Sequence, residues 1–166
     1  MSEAVKVVSL SERRAAKLVE AGLSKFSNGM IDAAMEDFAA SIECHPTAEG
    51  YTYYGWMLSK KGRVEEAIEK CERAIEVDPE FGNPYNDIGS YLIIQGKRDE
   101  AIPWFERAIE APRYEPRHFP HMNLGRIYIN KGQLRAAREQ FLKALEHAPG
   151  NRQLLLVVEQ IDEQLH

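Results

Sequence analysis

The sequence has few cysteines and no long apolar run. Only Cys44 and Cys71 occur in 166 residues, and they do not form a CxxC pair, so they cannot build a disulfide framework. No apolar stretch approaches the roughly 20 residues that a membrane-spanning helix needs. The net charge of −5 gives no overall attraction to nucleic acid or to an anionic membrane. We therefore expect a cytoplasmic protein that binds neither.

Signals for secretion and for disorder are also missing. The first residues contain no apolar core of a signal peptide. Hydrophobic residues make up 44% of the chain and charged residues 28%, which is ordinary for a globular protein and excludes disorder by composition. The length is enough to bury a sizeable core. We expect an ordered globular chain.

What the sequence does contain is a repeat. Several columns of residues recur four times at spacings of 33, 34 and 36, nearly all in register. The columns are Gly22, Gly55, Gly89 and Gly125; Gly29, Gly62, Gly96 and Gly132; Ala34, Ala67, Ala101 and Ala137; Phe38, Cys71, Phe105 and Phe141; Ser41, Ala74, Ala108 and Ala144; and Pro46, Pro79, Pro112 and Pro149. Such recurrence predicts one structural unit copied four times.

Each unit is predicted to be a hairpin of two helices of about 14 residues. In the second unit, apolar residues recur every three to four positions in two blocks, separated at Lys61-Gly62-Arg63, where glycine permits a turn. The second block ends at Asp78-Pro79, which discourages further helix. Gly55, like Ala67 and Ala74, is expected where the helices approach closely. One hairpin cannot bury its apolar face alone, so neighbouring hairpins must stack.

These columns resemble the tetratricopeptide repeat family over residues 15–149. The third unit, for example, reads Tyr85, Ile88-Gly89, Leu92, Ala101, Phe105 and Pro112, and the first unit matches least well. The resemblance implies an all-α fold, a right-handed α–α solenoid of four helical hairpins plus a C-terminal capping helix. The predicted division is a lead-in at 1–12, repeats at about 15–47, 48–81, 82–117 and 118–150 within a domain at 13–150, and the capping helix at 151–166.

Two regions depart from the regular repeat. The segment 111–117 carries about two extra residues and is expected to be an irregular loop, either a tolerated variant or a contact site. In the last segment, Asn151 can cap a helix, and Leu154, Val158, Ile161 and Leu165 form one stripe. This segment is expected to cap the last hairpin, with a dimer contact as the alternative because five consecutive apolar residues exceed what a cap requires.

Motifs for catalysis are absent from the sequence. It contains no phosphate-binding loop, HExxH, GxSxG or EF-hand string. Glu115, His118 and His121 could in principle hold a metal, but His121 occupies the column of Tyr51 and Tyr85, which favours packing. Cys71 occupies a phenylalanine column and is expected to be buried. We therefore expect no enzyme, no cofactor and no metal.

The resemblance also implies that the first helix of each hairpin lines a concave groove. Removing the packing positions from these helices leaves a stripe of aromatic, amide and arginine side chains, which suit contacts with a polypeptide. The predicted partner-binding residues are Glu49, Thr52, Tyr53, Trp56, Asn83, Asn86, Ser90, Phe119, Met122, Asn123, Arg126 and Asn130. Plain solvent exposure, or a half-buried Trp56, is the alternative interpretation.

We expect a protein–protein interaction module, an adaptor or scaffold that binds a peptide or a partner protein in the groove. Residues 113–149 contain seven Lys and Arg against three Asp and Glu, so a partner with an acidic end would be steered there. The lysine/asparagine/arginine clamp of some family members is missing, which disfavours the chaperones they bind. The alternatives are a cytosolic chaperone for a secreted or assembly-bound protein, and a homodimer formed through the C-terminal helix.

Overall fold

The computed structural model describes residues 8–165, which form nine α-helices and no strand longer than an isolated bridge. The helices are α1 (Leu10–Ser27), α2 (Ile31–Cys44), α3 (Ala48–Lys60), α4 (Val64–Val77), α5 (Asn83–Ile94), α6 (Arg98–Glu110), α7 (His118–Asn130), α8 (Leu134–His147) and α9 (Arg152–Leu165). They divide into two compact units after Pro79, with α1–α4 in unit 1 and α5–α9 in unit 2.

Helix α1 begins with a capping box. The Ser9 hydroxyl accepts a hydrogen bond from the Glu12 backbone N–H at 3.1 Å, and the Ser9 N–H donates to the Glu12 carboxylate at 2.6 Å. Two N–H groups that the helix leaves unpaired are thereby satisfied. The helix therefore begins at Leu10, inside the segment that the sequence assigns to a lead-in. The rest of that lead-in, residues 1–7, lies outside the described residues.

The hairpin turns use glycine in a left-handed conformation. Gly62 has a φ of +76°, which a residue with a Cβ rarely adopts. The neighbouring Arg63 N–H donates to the Leu58 carbonyl at 3.0 Å, which closes the end of α3. The other three members of this column, Gly29, Gly96 and Gly132, have φ values between +70° and +80°. The turn column found in the sequence is thus a column of identical backbone geometry.

The phenylalanine column packs against the helix glycines. A Cβ added to Gly22 would lie 2.6 Å from the Phe38 ring, and one added to Gly89 would lie 2.7 Å from the Phe105 ring. Gly125 faces Phe141 at the same 2.7 Å, and all three rings are buried. The glycines are therefore needed because a ring from the second helix of the hairpin occupies the space of their side chain.

The segment 111–117 is irregular, as predicted, and it folds back on the start of unit 2. The Gly82 N–H donates to the Arg113 carbonyl at 2.8 Å, and the Arg113 N–H donates to the Glu80 carbonyl at 3.1 Å. Tyr114 is only 4% exposed, and a Cβ on Gly82 would lie 2.4 Å from the Tyr114 Cβ. The additional residues thus supply a buried side chain to the unit.

Helix α9 packs on α8 and caps its apolar face. Leu154 and Ile161 are buried in a cluster with Phe141 and other residues of α7 and α8. The Asn151 side chain accepts a hydrogen bond from the Leu154 N–H at 3.3 Å, and Arg138 of α8 pairs with Asp162 of α9. The adjacent Leu155 and Leu156 remain 50% and 48% exposed. The predicted capping helix is confirmed.

Candidate functional site

The repeat places one variable position directly after each helix glycine. The residues in this position are Leu23, Trp56, Ser90 and Arg126. They lie on the first helix of their hairpins and are not buried. Since the neighbouring glycine is held against the second helix, the backbone at this position is fixed while the side chain is free to differ. It is therefore a natural position for partner-specific chemistry.

In unit 1, Trp56 at this position and Tyr53 one helical turn before it form an aromatic face. The Trp56 ring contacts Phe26 with centroids 4.3 Å apart, and the Lys60 ammonium lies 5.7 Å from the centre of the Trp56 ring. Tyr53 stacks on Phe38 at 5.5 Å. Both side chains are half-buried, so they pack against the core of unit 1 and keep part of their surface exposed to solvent.

Two predicted contact residues are buried instead. Thr52 is 3% exposed, and its hydroxyl donates to the Ala48 carbonyl at 2.7 Å within α3. Met122 is 7% exposed and belongs to the cluster with Phe141 and Leu154. These side chains have little surface to offer a partner, because both are almost completely buried. We leave Thr52 out of the proposed contact surface and keep Met122 only as a lining residue of a second depression, described below.

Three more predicted residues lie near helix starts. Glu49 is half-buried in the first turn of α3. The Asn83 amide donates to the Glu115 carbonyl at 3.3 Å, which ties α5 to the loop before α7. Phe119 is 43% exposed, and its ring lies 4.3 Å from that of His118. Among the three, Phe119 presents the most apolar surface to solvent.

The remaining predicted residues form a polar face on α5 and α7 of unit 2. The Asn123 amide donates to the Asn86 side-chain oxygen at 3.2 Å, linking the two helices. The Ser90 hydroxyl donates to the Asn86 carbonyl at 3.0 Å, and the Asn130 amide donates to the Arg126 carbonyl at 3.0 Å. The structure therefore does bring these predicted residues together.

This face encloses a depression of about 250 Å³, which we call the arginine pocket. It is lined by Ser90, Ile93, Arg98, Asn123, Arg126, Ile127 and Asn130. Arg98 and Arg126 both line this depression, and no ion pair is found for either in residues 8–165. Unpaired guanidinium groups beside amides and a hydroxyl suit a carboxylate ligand.

Arg98 was not among the residues predicted from the sequence. It is the first residue of α6, the second helix of its hairpin, whereas the predicted contact residues all lie on first helices. The start of a second helix follows directly on the glycine turn, so its side chain can reach the end of the same face. The one available signal was its position two residues after Gly96.

A titratable pair lies at the other side of α5. Burial raises the pKa of Asp87 to about 7, while a hydrogen bond from the Asn86 side chain opposes the shift. Burial also raises the pKa of Tyr114, and the charges of Asp87 and Glu115 add to this effect. Asp87 therefore holds its proton over a range in which an exposed aspartate is ionised.

His121 is part of the packing. It is 7% exposed, its ring nitrogen Nδ1 is 2.9 Å from the Gln140 side-chain oxygen, and its ring stacks on His147 at 5.8 Å. Burial lowers the pKa of His121, which keeps the ring neutral. Within residues 8–165, no three His, Cys, Asp or Glu side chains are grouped closely enough to hold a metal ion. In the same range, no helix has the length and apolarity to span a bilayer.

Comparison with known proteins identifies the repeat. Sequence profiles described as "Tetratricopeptide repeat" match residues 48–81, 83–114 and 118–151. Over 79 residues, the chain is 29% identical to the small glutamine-rich tetratricopeptide repeat-containing protein 2 of Mycosarcoma maydis, covering 47% of this chain and 22% of that protein. The chain spans only about a fifth of the length of such curated relatives.

Solved structures share the fold. One from a functional characterisation of Pseudomonas aeruginosa pilF superposes with a TM-score of 0.86 at 18% identity, covering 94% of this chain and 71% of that one. The second TPR of Spaghetti (RPAP3), bound to the HSP90 peptide SRMEEVD, superposes with a TM-score of 0.56 at 23% identity, covering 60% and 94%. These likenesses show an all-α fold of repeated helical hairpins, as predicted.

Proposed function

The chain belongs to the tetratricopeptide repeat family, and we propose that it is an adaptor or scaffold that binds a peptide or partner protein. The contact surface in this proposal is built from side chains on the first helices of the hairpins, taken separately in each unit. We place the protein in the cytoplasm and assign it no catalytic role. The predicted groove residues other than Thr52 and Met122 are its proposed contacts.

One observation carries the proposal: Arg98 and Arg126 reach one depression and have no ion-pair partner in residues 8–165. Arginine beside asparagine amides can bind a carboxylate in a bidentate manner, with further hydrogen bonds available to a peptide backbone. The proposed partner therefore presents an acidic group to unit 2. The similar Spaghetti domain binds a peptide that contains acidic residues, which supports this class of ligand.

The aromatic face of unit 1 is the second proposed contact. Trp56 and Tyr53 are rigid, amphipathic side chains of the kind that dominates interface energies. Because contacts with Phe26 and Phe38 already fix the rings, a partner would lose little additional side-chain entropy on binding them. An apolar or aromatic side chain of a partner would suit this face.

The proposal is tested by crosslinking in a cell extract, followed by identification of the bound proteins. We expect the Arg98→Glu, Arg126→Glu double variant to lose the partners that wild type retains, and Trp56→Ala to lose those that contact unit 1. Arg135→Glu is the matched control for charge, since Arg135 is exposed on α8 and does not line the arginine pocket. Identical partner profiles for wild type and both test variants would reject the proposed surfaces.

The same experiment distinguishes an adaptor from the alternative, a dedicated chaperone. A chaperone dedicated to one secreted or assembly-bound protein would copurify with a single aggregation-prone substrate. An adaptor would retain folded partners through the charged face. Loss of these partners at raised salt would favour the adaptor, because interactions between exposed charges are screened.

A further inference from the structure

A second depression lies on the other side of Arg126, between α7 and α9. Its volume is about 220 Å³, and we call it the apolar pocket. It is lined by Met122, Arg126, Ile129, Phe141, Gln153, Leu154 and Val157. Arg126 is therefore shared between the arginine pocket and the apolar pocket, and both lie entirely within unit 2.

The chemistry of the apolar pocket differs from that of its neighbour. Five of its seven lining side chains are apolar, and only Arg126 and Gln153 bring polar groups to it. An apolar cavity of about 150 Å³ is known to hold a benzene molecule, so this pocket is large enough for a leucine, methionine or phenylalanine side chain. Ile129 on its wall is 38% exposed, which leaves the pocket accessible from solvent.

We propose that the apolar pocket binds an aliphatic or aromatic side chain of the same extended peptide whose acidic side chain binds Arg98 and Arg126. This inference rests on the proposed function and specifies its ligand. Helix α9 then has two roles, because Leu154 closes the core of the last hairpin while Val157 and Gln153 form a wall of the pocket. The C-terminal helix is part of the binding site as well as a cap.

Helix geometry sets the spacing of the two ligand residues. Packed helices lie about 8–10 Å apart, so the grooves on the two sides of α7 are separated by a similar distance. A peptide in the extended polyproline II conformation advances about 3.1 Å per residue and returns its side chains to the same face every three residues. The acidic and apolar residues should therefore be about three positions apart in the peptide.

Charge complementarity favours this occupant over a second copy of the chain. The guanidinium groups in the arginine pocket lack a carboxylate partner in residues 8–165, and a peptide that enters there passes Arg126 on its way to the apolar pocket. The exposed leucines of α9, Leu155 and Leu156, do not line the pocket. Self-association through these leucines would leave the apolar pocket open.

The test is selection from a phage library of random peptides about 12 residues long, which span roughly 40 Å when extended. The full chain is the bait, and the ligands are the displayed peptides themselves. We expect enrichment of peptides with an acidic residue about three positions from an aliphatic or aromatic one. In fluorescence polarisation with a selected peptide, replacing the apolar residue by alanine should weaken binding more than about tenfold.

Variants of the protein then test whether the apolar residue of the peptide binds in the apolar pocket. Val157→Phe fills the pocket, and Ile129→Trp does so from an exposed position if the first variant folds poorly; melting followed by circular dichroism checks both. Each should lose selection for the apolar residue and keep selection for the acidic one. Leu155→Phe is the matched control, since it adds the same ring to α9 outside the pocket and should leave selection unchanged.

The outcomes distinguish the inference from the function on which it rests. Peptides selected for the acidic residue alone, or an apolar preference that survives both filling variants, would overturn the inference and leave the proposed function standing. Failure to enrich any peptide would overturn both the inference and peptide binding. Light scattering that shows a dimer of wild type and a monomer of Ile129→Trp would mean that a second copy occupies the pocket, which also overturns it.

Discussion

The two units of the molecule use the same repeat for different surfaces. The residue after the helix glycine is Leu23 or Trp56 in unit 1, and Ser90 or Arg126 in unit 2. The backbone at these positions is set by the same packing of glycine against the second helix. The side chain, however, changes from apolar in unit 1 to polar in unit 2. The repeat therefore determines where a side chain lies, while the chemistry of that side chain can differ between hairpins.

The connections inside the units differ as well. In unit 1, α2 and α3 are joined by residues 45–47, and the Thr47 hydroxyl accepts a hydrogen bond from the Gly50 N–H at 3.0 Å. In unit 2, α6 and α7 are joined by residues 111–117, which return to residues 80–82 and bury Tyr114. Unit 2 therefore depends on a loop side chain for part of its core, whereas in unit 1 the connection caps a helix.

The first prediction removes the loop side chain that unit 2 buries, and it is expected to have a large effect on stability. Tyr114→Ala removes a buried aromatic side chain that packs on Gly82 and should lower the free energy of unfolding by about 3 kcal/mol. Urea denaturation followed by circular dichroism measures the loss. Pro46→Ala, at an exposed position of the shorter connection, should change it by less than about 1 kcal/mol. Equal effects of the two substitutions would show that the longer loop contributes no packing.

The next prediction concerns the one hairpin that lacks the phenylalanine. A Cβ on Gly89 would lie 2.7 Å from the Phe105 ring, whereas one on Gly55 would lie 3.4 Å from the Cys71 sulfur and 3.0 Å from the Ala67 carbonyl oxygen. We expect Gly89→Ala to cost about 1–3 kcal/mol. Gly55→Ala should cost less than about 1 kcal/mol, because alanine's higher helix propensity offsets a milder contact.

A double-mutant cycle tests whether the Phe105 ring is the cause of the cost at Gly89. Phe105→Cys gives the third hairpin the side chain that the second already has. In this background, Gly89→Ala should cost less than it does beside the phenylalanine, and urea denaturation of all four proteins measures the coupling. An unchanged cost would mean that the ring is not what excludes the methyl group.

The last prediction is a pH dependence confined to unit 2. Asp87 occupies the position that Tyr53 has in unit 1, and its pKa is raised from 3.8 to about 7. The folded chain therefore retains a proton that the unfolded chain releases, so stability decreases as pH rises between these two values. The melting temperature of wild type should fall over this window relative to that of Asp87→Asn. Parallel pH profiles of the two proteins would contradict the shift.

Much of the fold could be predicted because the recurring residues meet strict steric requirements. Glycine at a φ of +76° and glycine under a phenylalanine ring each allow few substitutes, so the turn column and the packing column are visible in one sequence. The cap was visible as well, through Asn151 and the apolar stripe that follows it. The repeat boundaries themselves remain predictions.

The candidate site was predictable only in part. Thr52 and Met122 are polar or adaptable enough to suit a binding surface, and only the helix packing shows that they are buried. Arg98 was missed because it lies on a second helix, and Tyr114 because it lies in a loop without periodicity. Such positions depend on contacts between segments far apart in the chain, which hydrophobic spacing does not encode.

The position of Arg126 between two unlike depressions has a consequence for the register in which a peptide binds. A single side chain that borders both would couple them, so a ligand displaced by one residue would misplace its acidic and its apolar group together. The resulting loss of affinity would be steeper than either contact alone could produce. A single shared arginine would in that way select one register of the bound peptide.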